Sequence, residues 1–130
     1  MTRWKDVVFG ALAFVGAHAV EAAAWRSWFA PGGDYAAWFL NSGRAVAFTA
    51  VCLFVVSLLG SALGAADQRD SLVRGAYFSG GAVASMTVVL IVVGPGTIWP
   101  IVLVGGAAII SACAVAGAYA GGAIRRAGRP

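Results

Sequence analysis

Two side chains inside the first apolar run could do chemistry. His18 and Glu21 are three residues apart in VVFGALAFVGAHAVEAAAW, Val7 to Trp25. Steps of three and four return to one helix face, so Gly10, Phe14, His18, Glu21 and Trp25 share a side. His18 lies about 16 Å along this run, near the middle of a ~30 Å hydrocarbon core. Ionisable groups at such depth face a bundle interior or a wet cavity and take a partner. A His–Glu pair there could relay protons, sense pH or hold a monovalent cation, with hydroxyls of Ser57, Ser85 or Thr87 at comparable depth. The bland role is a structural contact, with Glu21 paired to Arg26 or Arg44 and His18 hydrogen-bonded between helices. His18 could also be an axial ligand to haem or a chlorophyll.

Other chemistry is hard to build. The sequence has no HExxH, no phosphate-binding glycine loop and no nucleophile–base–acid set. Cys52 and Cys113 sit alone in separate apolar runs, without the spacing of a metal site. If both runs start at one face, the thiols lie roughly 10 and 22 Å deep. A disulfide needs Cα atoms within about 7 Å, so none is expected. No metal site and no cofactor are expected, and the protein is read as a non-enzyme.

The elements that must carry His18 and Glu21 are membrane helices. Apolar residues make up 61% of the 130 residues and charged residues 11%, against about 25% charged in soluble domains. Mean hydropathy is +0.87. Four apolar runs, about 7–24, 45–66, 75–93 and 98–124, approach the roughly 20 residues that cross a bilayer. Backbone groups in lipid must pair within each segment, which requires helices. The expected fold is therefore all-α, a single integral membrane bundle of four transmembrane helices. Breakers at Pro31, Gly32 and Gly33, followed by YAAWFLN, predict a short interfacial helix between the first two spans. Asp67 to Arg74, DQRDSLVR, reads as a polar connection.

Charge and aromatics orient the bundle. Arg3, Lys5, Arg69, Arg74, Arg125, Arg126 and Arg129 fall on one side, Arg26 and Arg44 on the other. That asymmetry places both termini in the cytoplasm and the chain in the cell (inner) membrane. Trp25, Trp28, Trp38 and Trp99 gather as anchors at the outer interface, and Trp4, Tyr77 and Tyr119 at the inner one. Arg3 and Lys5, an apolar run and Ala17-His18-Ala19 also match a signal peptide. Asp6 abuts the apolar run and apolar helix continues to Trp25, so the segment is read as an uncleaved span.

The net charge of +4 is explained by this topology, and no nucleic-acid partner is expected. Gly60 and Gly64 form a GxxxG, and Gly117 and Gly121 a second small row; both predict close helix packing. The expected partners are the lipid bilayer and either further copies of the chain or a larger membrane complex. The leading functional reading is a non-catalytic accessory or structural subunit of a membrane assembly. The alternatives are a small oligomeric channel or proton/ion-coupled transporter using His18 and Glu21, and a haem- or pigment-binding anchor through His18. If the transporter reading holds, Glu21→Gln should abolish pH-dependent flux and leave expression intact.

Overall fold

The structure, a computed structural model, describes residues 3–24, 43–93 and 99–129. Among these residues there are four helices: α1 (Trp4–Ala24), α2 (Gly43–Gly64), α3 (Gln68–Val93) and α4 (Trp99–Ala127). All four are long and apolar enough to cross a membrane. The interfacial helix expected in the α1–α2 connection lies outside the described residues, as do Trp25, Trp28 and Trp38 and the side chains of Arg44 and Trp99.

The helix starts follow from local chemistry. Asp6 stands in the first turn of α1, where a negative charge suits the positive end of the helix dipole. Pro100 opens α4, where its missing N–H removes a donor that has no helical acceptor. At α3 the structure corrects the sequence reading. Residues 68–74 are helix and not a connection. Asp67 is the N-cap: its carboxylate accepts the Asp70 N–H at 2.7 Å, and its carbonyl takes the Ser71 N–H at 3.0 Å. Asp70 in turn accepts the Ala66 N–H at 2.9 Å. This reciprocal arrangement starts the helix two turns before the apolar residues begin.

The helices form a four-cornered bundle in the order α1–α3–α4–α2, so the sequence neighbours α2 and α3 stand diagonally. The contacts are most extensive between α2 and α4, then α3–α4 and α1–α3; α1 meets α2 only loosely. Two of these pairs run parallel. An added Cβ at Gly117 would meet the Phe54 carbonyl and one at Gly121 the Leu58 carbonyl, while Arg125 reaches Ala62. The register therefore advances in one direction along both α2 and α4. On the opposite side, Gly10 of α1 seats against the Phe78 carbonyl and Gly81 of α3 against the Val7 carbonyl. Without a Cβ at these positions, backbone lies directly on side-chain-free helix, which maximises dispersion contact in a medium that gives helices no hydrophobic drive to associate.

The core consists of Phe14, Leu53, Phe78, Ala82, Met86, Leu90, Ile110 and Ala114. Hydroxyls are buried or half-buried with it. Ser57 donates to the Ala114 carbonyl at 2.6 Å across α2 and α4, and Ser79 and Thr87 donate to carbonyls of their own helix. The outward faces carry Leu12, Val20, Val51, Leu59, Val88, Ile91, Val104 and Ile109, all exposed. Apolar outside and hydroxyl-bearing inside is the polarity expected of helices solvated by lipid.

Candidate functional site

Glu21 is buried at 4% exposure, on the face of α1 that also buries Gly10, Phe14 and Ala17. It stands about 4–5 Å of helix rise from the last described residue of α1, Ala24, and so belongs to the end of the bundle opposite Arg3. Its carboxylate is within electrostatic range of the Cys52 thiol on α2. Thr49, a turn earlier on α2, is also fully buried. His18 is half-buried. Its Nδ1 lies 3.1 Å from the Phe14 carbonyl, and its ring packs on the Phe14 ring with centroids 4.3 Å apart. The carbonyl can only accept, so Nδ1 carries the proton. Among the described residues no three His, Cys, Asp or Glu side chains converge as a metal site. Cys52 and Cys113 are separate thiols, on α2 and α4.

The opposite end is charged. Arg3 and Arg74 both bind the Asp70 carboxylate, Arg74 through Nε at 3.0 Å, and Arg3 also approaches Asp6 at 3.8 Å. Arg125 of α4 donates to the carbonyls of Ala62 and Leu63. Those carbonyls belong to the last turn of α2, which has no helical donors left for them. Gln68 Nε2 donates to the Tyr119 carbonyl at 3.3 Å, tying α3 to α4 at the same level. Beside this network a cavity of about 230 Å³ opens between α1, α2 and α3, lined by Lys5, Asp6, Phe9, Val56, Ser57, Gly60, Ser61, Arg74 and Phe78.

The glycine rows differ in role. Gly117 and Gly121 lie in the α2–α4 contact. Nothing stands within 4 Å of a Cβ built on Gly60, which faces the cavity, and Gly64 sits beside the Arg74 guanidinium. The GxxxG of α2 is therefore not a close helix contact within this bundle. Gly10 and Gly81 form the crossing of α1 and α3, a contact that sequence spacing did not reveal. Each is one of several small residues on its own helix, and only the pairing of the two helices reveals their shared purpose. The Arg3–Asp70 and Arg125 contacts were equally out of reach, because each joins residues more than sixty positions apart.

Between the two polar ends the bundle carries a buried apolar layer. Phe14, Leu53, Phe78 and Met86 fill the level between Glu21 and the Lys5–Arg74 cavity, and Leu53 has no exposed surface at all. Comparison with known proteins finds no matching family model, no similar curated sequence and no similar solved structure.

Proposed function

We propose that the protein is a non-catalytic accessory or structural subunit of a membrane assembly, held in the cell membrane with both termini cytoplasmic. The observation that carries this reading is the apolar plug. Phe14, Leu53, Phe78 and Met86 form a buried apolar layer between Glu21 and the charged end. An ion crossing that layer would shed its hydration without replacement, at a cost of many kcal/mol. Glu21 and His18 then serve as polar contacts within the bundle or toward a neighbouring chain.

The outward face of α4 supports assembly. Gly105, Ala108, Ala112 and Ala116 are exposed along one stripe, and small residues on a lipid-facing stripe allow another helix to approach closely. The positive residues gathered at one end support the orientation, since cytoplasmic segments carry the excess of Lys and Arg. The test is native mass in a mild detergent, recorded with the absorbance spectrum. A colourless species heavier than one chain is expected. A monomer would contradict the assembly, and a Soret or chlorophyll band lost in His18→Ala would replace this reading by a pigment-binding anchor.

A further inference from the structure

The cavity at the charged end is unlike the rest of the interior. Its walls come from three helices, and it exists because α1 meets α2 loosely and Gly60 leaves its side-chain space empty. Two cations reach it, Lys5 from α1 and Arg74 from α3. Asp6 also lines it, and that carboxylate lies 3.8 Å from Arg3. Arg74 uses Nε on Asp70, which leaves guanidinium N–H donors for a further acceptor. Lys5 makes no ion pair among the described residues. The Ser61 side chain, buried, adds a hydroxyl to the wall, and the Ser57 hydroxyl is already donated to Ala114. The remaining wall is apolar: Phe9, Val56 and Phe78, with Phe9 52% exposed on the outward side.

A site with cationic donors at its mouth and an apolar wall open to the flank matches one ligand chemistry, a phosphate monoanion esterified to an acyl-chain carrier. We propose that this cavity holds the headgroup phosphate of an anionic phospholipid from the leaflet that borders the charged end. Lys5 and Arg74 hold the phosphate oxygens, Ser61 supplies a hydroxyl, and the proximal acyl chain leaves between α1 and α2 across Phe9 and Val56. Basic pockets between membrane helices select anionic headgroups for this reason, and Arg and Lys supply the charge-assisted bonds. A free inorganic phosphate would use the same cations and gain nothing from the apolar wall. The site rests on the bundle's place in a bilayer and not on the assembly it joins. Ion flux through the protein would overturn the accessory-subunit reading and leave the lipid site standing.

The test is lipid retention by the full chain in detergent, read by native mass spectrometry with phosphatidylglycerol or phosphatidylcholine of the same acyl chains. Phosphatidylglycerol should be retained roughly five-fold better, the effect of about one cation near a membrane surface. Lys5→Gln should remove most of that preference. Gly60→Leu should remove the bound lipid by filling the cavity, since nothing stands within 4 Å of a Cβ at Gly60. Equal retention of the two lipids by the wild type overturns the proposal, whatever the variants do. So does a preference that survives Gly60→Leu in a protein of unchanged helicity. Complete displacement of phosphatidylglycerol by inorganic phosphate would make this a free-anion site and also overturn it.

Discussion

Arg125, in the last turn of α4, donates from Nη1 to the carbonyl of Ala62, 3.3 Å away in the last turn of α2. One helix thus caps another. The parallel packing of α2 and α4 brings both negative helix ends to the same level, where a single guanidinium neutralises them. Arg125→Ala should lower stability by about 1–2 kcal/mol, and Arg125→Lys should recover part of it by restoring the charge without the fork. Thermal unfolding in detergent, followed by helicity, checks both.

The glycine contacts give a sharper contrast. A Cβ at Gly121 would strike the Leu58 carbonyl, whereas one at Gly60 meets nothing within 4 Å. Gly121→Val should therefore cost about 3 kcal/mol or more, at or beyond the upper end of ordinary overpacking, because the obstacle is backbone. Gly60→Ala should be neutral or gain up to about 1 kcal/mol from helix propensity. Equal effects of the two substitutions on unfolding in detergent would contradict the α2–α4 contact described here.

At the start of α3, the cap and the ion pairs can be separated. Asp67→Ala removes the acceptor for the Asp70 N–H and should cost about 1 kcal/mol. Asp70→Asn removes the negative partner of both Arg3 and Arg74 and should cost about 1–2 kcal/mol, between the limits for exposed and buried pairs. Amide exchange should show the first substitution fraying 68–71 alone and the second loosening the N-terminal turn of α1 as well.

Much of the helical architecture was legible because membrane solvation leaves a coarse record. Long runs such as AVAFTAVCLFVVSLLG cannot be anything but helix in lipid, and four of them are found. The boundary at α3 was misjudged because DQRDSLVR was weighed by its polarity, although its Asp67–Asp70 spacing is a cap signature. GxxxG at Gly60 and Gly64 was legible as a pattern and not as a contact. A motif gives the spacing on one helix, and the contact depends on what the second helix presents. The burial of Glu21 followed from its place three residues beyond His18 on the face of Phe14. The cavity of Lys5 and Arg74 did not, because it is produced by a gap between helices far apart in sequence.

The proposed orientation is tested by labelling. In a background with Cys52→Ala and Cys113→Ala, a Gly128→Cys substitution places a thiol beyond α4, where Gly128 is exposed. A membrane-impermeant maleimide should leave it unmodified in intact cells and label it after permeabilisation. Labelling in intact cells would reverse the topology.

The most direct measurement is ion and proton flux into liposomes carrying the purified protein, with Glu21→Gln beside the wild type. The buried layer of Phe14, Leu53, Phe78 and Met86 requires that both leak no faster than empty liposomes. Flux in the wild type that Glu21→Gln abolishes, with the variant still folded and inserted, would contradict the structural reading and make Glu21 part of a conduction or transport path.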